Sequence, residues 1–228
     1  MVTFVLIHGA ASDSWYWHRV APELRSRGHD VVLMDLPCDD DSAGLQEYAD
    51  TVVDAIGDRT DLVLVAQSLG GFTAPLVCER VQVELLVMLN AMIPSPGESS
   101  GDWWANTGQA EAAREQAERD GRDPDDDDLM ELFFHDVPEE VRAEAMKAKP
   151  KDQSGSPFEK PWPLEVWPTV PTRVLLSRQD RLFPPDFLRR LARERLGTIP
   201  DEMDGGHLVA LSRPKELADR LEAYWTNR

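Results

Sequence analysis

A serine stands where a short apolar run gives way to glycines, in a segment (62–71) that reads LVLVAQSLGG. The pattern predicts a buried strand, a sharp turn at Ser68 and then a helix. Such a turn strains the backbone of its serine and holds the hydroxyl outward. It also crowds the residues two before and two after, so both must be small. Ala66, where the usual pattern has glycine, and Gly70 meet that need. Ser68 is the predicted nucleophile, and a mere helix cap is the alternative.

A serine hydroxyl needs a base, and five histidines are available. His207 follows two glycines in a DGGHL segment, just after a weak final strand, where a free loop can project an imidazole. The other four histidines are less suitably placed to act as the base. His18 and His29 lie in or beside the first helix, His135 lies mid-chain, and His8 follows the first strand, where it could support the neighbouring loop. We predict His207 as the base; an exposed loop histidine is the alternative.

The third member of such a site is a carboxylate that orients the imidazole and stabilises its cation. Asp180 lies just past the apolar run 173–176, and so at the same edge of a sheet as Ser68 and His207. Asp204 competes because it is only three residues from His207, but a carboxylate that near usually belongs to the same loop and points elsewhere. We predict Asp180 as the orienting acid.

Attack on an acyl group also requires N–H donors for the developing oxyanion. The small residues Gly9 and Ala10 after His8 let the chain fold tightly beside the nucleophile. We predict the backbone N–H groups of Ala10 and Leu69 as the two donors.

Short apolar runs that alternate with helix-like stretches position these residues. Strands are predicted at 3–7, 31–34, 62–65, 85–89 and 173–176, with a weak one within 198–203. Helices are predicted at 14–28, from Ser42 to about residue 56, and at 109–119, 126–134, 138–149 and 214–225. The alternation predicts an α/β fold with a mostly parallel sheet, covered by helices on both faces.

One stretch lacks a good strand and contains only helix-like pieces and polar loops. The predicted organisation is a core in two parts, 1–92 and 169–228, with a helical cap inserted at 93–168. The acidic run at 123–128 is predicted to be a solvated loop rather than a metal site, because consecutive carboxylates diverge.

Composition limits the classes of molecule that the protein is expected to bind. The formal net charge of −18 argues against nucleic acid and against an anionic membrane surface. Two widely separated cysteines fit a reducing compartment. No leader-like start or membrane-spanning run is apparent, so a cytoplasmic protein is expected. We expect a small-molecule substrate, a monomer or homodimer, and no cofactor or metal.

The order serine, acid, histidine resembles the α/β-hydrolase fold. Further segments resemble its small methylesterase and hydroxynitrile lyase branch; these are His8-Gly9-Ala10, Trp15-Tyr16-Trp17, Gly28-His29, Asp35-Leu36, Gly206-His207, Leu211-Ser212 and Pro214. The resemblance implies hydrolysis of a carboxylic ester through an acyl-enzyme on Ser68. A lyase with the same triad and a non-catalytic small-molecule receptor are the alternatives. Lyases of this branch carry a threonine and a lysine where this chain has Gly9 and Leu208.

In that fold the insertion would cover the nucleophile, and its aromatic residues would line an apolar pocket. The predicted pocket residues are His8, Trp103, Trp104, Phe133, Phe134 and Trp162. The alternative for each aromatic residue, and for Trp167, is that it only attaches the insertion to the sheet.

Overall fold

Six parallel strands form one sheet in a computed structural model that describes residues 1–126, 128–148 and 151–227. The strands are β1 (Thr3–Ile7), β2 (Asp30–Leu33), β3 (Leu62–Ser68), β4 (Val83–Ala91), β5 (Thr172–Ser177) and β6 (Asp201–Met203). Their order is β2-β1-β3-β4-β5-β6, and every neighbouring pair is parallel. The predicted fold class is confirmed, and the ends of β3, β5 and β6 meet at one edge.

Both faces of the sheet are buried, as the continuously apolar strands require. In β1, Val5 and Ile7 join one hydrophobic cluster while Phe4 and Leu6 join a second. Successive residues of a strand point to opposite faces, so the two clusters lie on opposite sides of the sheet. The central strands of the sheet are therefore covered on both faces, and their ends are available for chemistry.

Helices connect the strands. They are a 3-10 helix (Ser14–Trp17), α1 (Val20–Ser26), α2 (Leu45–Ile56), α3 (Gly70–Cys78), α4 (Trp103–Thr107), α5 (Gln109–Arg119), α6 (Leu129–Phe133), α7 (Glu139–Ala145), α8 (Ser156–Glu159), α9 (Pro185–Leu196), α10 (Val209–Ser212) and α11 (Pro214–Thr226). The sequence did not predict α4, α8, α9 or α10.

The first two predicted helices differ from the structure in detail. The one predicted at 14–28 is a 3-10 turn, capped by the Asp13 carboxylate, followed by the separate helix α1. The helix predicted from Ser42 starts at Leu45 instead. There the Glu47 carboxylate accepts the Gly44 N–H at 2.8 Å, whereas Ser42 is bonded to Asp40.

The segment between β4 and β5 forms the five helices α4–α8 among its described residues. Two buried indoles attach it to the core: the Trp103 ring packs against Phe183 and Phe187, with ring centroids 5.2 and 5.6 Å away, and Trp162 Nε1 donates to the Phe72 carbonyl at 3.1 Å. The boundaries of the predicted units stay a prediction.

The acidic run lies within this segment. Asp128 caps α6, with its carboxylate accepting the Met130 N–H at 2.8 Å, while Asp127 lies outside the described residues. Lys149 and Pro150, at the end of another predicted helix, also lie outside them. None of the described helices is long and apolar enough to cross a bilayer.

The start of α3 lies so close to the end of β4 that only glycine fits at position 71. A Cβ there would lie 1.9 Å from the Met92 carbonyl oxygen. We expect Gly71→Ala to lower stability by about 1–3 kcal/mol or more, because the backbone must move to relieve the overlap. Gly155→Ala is the control, since its nearest new contact is a flexible side chain at 3.8 Å. Equal unfolding temperatures for the two variants would contradict this packing.

Candidate active site

Ser68 ends β3 one residue before the helix cap Leu69 and has a φ of +53°. This left-handed conformation is costly for serine and is the strained turn that the sequence predicts. Its carbonyl accepts the Met92 N–H at 3.0 Å, which ties the turn to the end of β4. The hydroxyl is placed at the carboxyl edge of the sheet.

Small residues surround the Ser68 turn because the backbone approaches it closely. A Cβ on Gly9 would lie 2.8 Å from the Ser68 Cβ and 2.6 Å from the Gln67 side-chain oxygen. A Cβ on Gly70 would lie 3.2 Å from the His8 carbonyl. The loop after β1 therefore packs directly against Ser68.

Asp180 and His207 form a buried pair. His207 Nδ1 donates to Asp180 Oδ2 at 2.8 Å, and the two residues are 2% and 1% exposed. The other oxygen, Oδ1, accepts the N–H groups of Leu182 and Phe183, each at 2.9 Å. A carboxylate held in this way fixes the imidazole with a proton on Nδ1, which leaves Nε2 as the basic nitrogen.

Asp204, the competing acid, points elsewhere. It is exposed and pairs with Arg178, with an Nη1–Oδ1 distance of 3.0 Å. The Arg178 guanidinium lowers the pKa of the Asp204 carboxyl below its usual value. The Asp204 carboxylate is therefore paired with Arg178, and Asp180 is the acid bonded to His207.

Asp136 and Phe183, which the sequence did not single out, and the predicted pocket residue Phe133 contact the histidine loop. Asp136 of the insertion accepts the Gly206 N–H at 2.7 Å. Phe183 and Phe133 contact the His207 ring edge-on, with ring centroids 5.1 and 5.7 Å away. Phe183 follows the acid by three residues, which is a usable signal, whereas nothing in the sequence around Asp136 indicated its contact.

Two backbone donors are unoccupied beside the serine. Within residues 1–126, 128–148 and 151–227, neither the Ala10 N–H nor the Leu69 N–H donates a hydrogen bond to another protein group. Ala10 follows Gly9 and Leu69 follows Ser68 in the chain. Gly9 and Ser68 lie so close that a Cβ on Gly9 would be 2.8 Å from the Ser68 Cβ. They are the donors that the sequence predicts for an oxyanion.

His8 supports this loop and does not line a pocket, which corrects the prediction. It is fully buried; Nε2 accepts the Leu36 N–H at 3.0 Å and Nδ1 donates to the Gly9 carbonyl at 2.8 Å. Burial lowers the pKa of His8, which favours this neutral form. Because the Gly9 carbonyl and the Ala10 N–H belong to one planar peptide group, the bond from His8 turns the Ala10 N–H the opposite way.

The predicted pocket aromatics divide into two groups. Trp103 and Trp162 are buried and attach the insertion to the core, Trp103 by packing against Phe183 and Phe187 and Trp162 by its hydrogen bond to the Phe72 carbonyl. Trp104 and Phe133 are partly exposed and contact Phe183 and His207, respectively. Partly buried Phe134 packs against the core cluster on the opposite face from Trp103. Phe133 is the predicted aromatic that touches the triad.

Comparison with known proteins agrees with this geometry. A model of the alpha/beta hydrolase family matches residues 4–220. A probable esterase from rice (Oryza sativa subsp. indica), PIR7A, is 37% identical over 112 residues, or 43% of this chain and 42% of the rice protein. The match thus spans less than half of that relative.

Longer matches are more distant. An alpha-hydroxynitrile lyase from Arabidopsis thaliana is 24% identical over 98% of this chain and 97% of its own. The crystal structure of polyneuridine aldehyde esterase superposes with a TM-score of 0.77 and 21% identity, covering 98% of this chain and 99% of that one. The last likeness concerns the fold.

The two hydrogen bonds to Asp180 Oδ1 allow a test of Asp180 as the orienting acid. In Asp180→Asn we expect the amide oxygen to accept the hydrogen bonds from the Leu182 and Phe183 N–H groups, so the amide NH2 faces His207. The imidazole must then carry its proton on Nε2, where it cannot act as a base. We expect kcat of the reaction initiated by Ser68 to fall about 10⁴-fold. Asp204→Asn, which loses only an exposed ion pair, should stay within about twofold. The opposite ranking in folded proteins would move the acid to Asp204.

Proposed function

This chain belongs to the alpha/beta hydrolase family, and from that premise we propose that it is a serine esterase acting on a small-molecule carboxylic ester. The buried Asp180–His207 pair carries the proposal, because it fixes a basic Nε2 at the sheet edge where β3 presents Ser68. The esterase names among its relatives support the same reaction type.

The proposed reaction has two halves. Ser68 Oγ attacks the ester carbonyl while its proton passes to His207 Nε2, and the alcohol leaves with that proton. Water then attacks the acyl-enzyme and gives a proton to the same nitrogen. The bond between Ser68 Oγ and the acyl carbon breaks, Ser68 Oγ takes that proton from His207 Nε2, and the carboxylic acid is released. The Asp180 carboxylate stabilises the imidazolium in both halves, held still by two backbone N–H groups.

The oxyanion of each tetrahedral intermediate is assigned to the Ala10 and Leu69 N–H groups. They carry no other partner among the described residues, so binding an oxyanion costs them no existing hydrogen bond. A donor that is already oriented stabilises charge in the transition state at little reorganisation cost. His8 contributes by fixing the peptide group that contains the Ala10 N–H.

A lyase reaction is the second candidate, because a hydroxynitrile lyase is among the relatives. That reaction releases cyanide, an anion that requires a positive charge in a dry pocket. Leu208 follows His207 and is apolar, and Gly9 offers no hydroxyl to hold a cyanohydrin. An ester leaving group takes its proton from His207 and requires neither, so hydrolysis is the better fit.

The nucleophile is tested by covalent labelling. Ser68 should react with a fluorophosphonate probe, because the proposed transfer of its proton to His207 activates the hydroxyl as a nucleophile. Ser68→Ala should abolish labelling and lower any turnover by several orders of magnitude. Intact-mass spectrometry measures the adduct, and Ser100→Ala serves as a control for a buried serine outside the site. An adduct that persists in Ser68→Ala would place the nucleophile elsewhere.

A substrate comparison separates the candidate reactions. We expect hydrolysis of activated aryl esters and short methyl esters, with no cleavage of mandelonitrile above background. Release of cyanide that depends on Ser68 would favour the lyase. Failure with every ester tested, by a protein that still reacts with the probe, would favour a small-molecule receptor on this fold.

A further inference from the structure

Asn90 connects the strand ends that carry the triad. It is fully buried near the end of β4, which lies between β3 with Ser68 and β5 before Asp180. Its side chain contacts both the end of β5 and the histidine loop. None of the comparisons or the catalytic steps above assigns it a role.

The backbone at Asn90 is bent to make this contact. Gln67 of β3 pairs with Leu89, but Ser68 pairs with Ala91, so Asn90 is an extra residue in β4 opposite the nucleophile turn. Its φ is +42°, a left-handed value that asparagine tolerates better than most residues. A bulge of this kind redirects a side chain at the end of a strand, often beside an active site.

The hydrogen bonds of Asn90 fix its orientation and reach the histidine loop. Oδ1 accepts the Ser177 N–H at 2.8 Å. Because this N–H can only donate, the amide oxygen and not the amide nitrogen must face it. Nδ2 lies 2.9 Å from Ser177 Oγ, 3.2 Å from the Gly206 carbonyl and 3.3 Å from the His207 carbonyl. The amide therefore binds Ser177 of β5 through both of its polar atoms, and its Nδ2 also reaches the backbone carbonyls of Gly206 and His207.

We propose that Asn90 is a positioning residue that sets the place of His207 relative to Ser68. This inference rests on the proposed function for its kinetic consequences. Asp180 fixes the rotation of the imidazole through Nδ1. Gln179 holds the loop after β6 at Gly205, because its side-chain oxygen accepts the Gly205 N–H at 2.5 Å. Asn90 holds the carbonyls of Gly206 and His207 from the core side, while Asp136 holds the Gly206 N–H from the insertion. A shift of about 1 Å between reacting groups can cost about 10²-fold in rate.

The test uses two variants at position 90. Asn90→Gly removes the side chain, yet glycine accepts the positive φ without strain. Asn90→Asp is nearly isosteric and keeps the acceptor for the Ser177 N–H, but turns an oxygen toward the carbonyls of Gly206 and His207. The control is Ser100→Ala, which loses a different buried hydrogen bond, from Ser100 Oγ to the Pro157 carbonyl (2.9 Å), in the insertion.

Three readouts apply to the full chain: kcat and KM for an aryl acetate, the rate of Ser68 labelling by a fluorophosphonate, and the downfield proton resonance of His207 Nδ1–H. We expect both variants to lower kcat and the labelling rate about 10- to 100-fold with KM nearly unchanged, and to shift or broaden the resonance. Ser100→Ala should lower only the unfolding temperature.

A purely structural role predicts a different result. If both Asn90 variants fold, unfold at a lower temperature and keep the wild-type kcat, labelling rate and resonance, the inference is overturned. If wild-type protein hydrolyses no ester, the proposed function fails on its own, and the labelling rate and the resonance still decide the role of Asn90.

Discussion

The left-handed turn at Ser68 is the constraint on which the rest of the site depends. Serine holds a φ of +53° there only because the surroundings leave it no alternative. Gly9 presses on the serine from the loop after β1, and Gly71 brings α3 against the carbonyl of Met92. Any larger residue at these two positions would separate elements that must touch. The small residues near Ser68 are therefore consequences of one close backbone approach.

The other half of the site is held by hydrogen bonds to backbone groups. Asp180 accepts two N–H groups, His8 bonds the Gly9 carbonyl, and Asn90 bonds the carbonyls of Gly206 and His207. Each bond is buried and so costly to break without replacement. Because they act on the backbone, these bonds fix the loops without occupying the space over the nucleophile. A buried site of this kind is preorganised before a substrate arrives.

The sequence predicted the candidate site residues whose position follows from where a strand ends. Ser68, Asp180 and His207 each come directly after or soon after an apolar run, and parallel strands bring such residues to one edge. Asn90 and Asp136 were missed because their partners are 117 and 70 positions away in the chain. Their side chains carry no local pattern; only the folded register makes them neighbours of the histidine loop. His8 was placed in the pocket for the same reason, since its bond to Leu36 spans 28 positions.

The choice between hydrolysis and lyase chemistry follows from the same close approach that shapes the nucleophile turn. A side chain on residue 9 would begin 2.8 Å from the Ser68 Cβ, so a hydroxyl-bearing residue requires the loop after β1 to move away from β3. That movement would also displace the Ala10 N–H, which the His8 bond to Gly9 sets in place. On the histidine side of the site, Leu208 is partly buried against a core cluster. A lysine at this position would have to bring its charge into that apolar contact or turn away from the cluster. Conversion to a lyase therefore requires backbone changes on both sides of the triad, whereas ester hydrolysis uses the backbone as it stands.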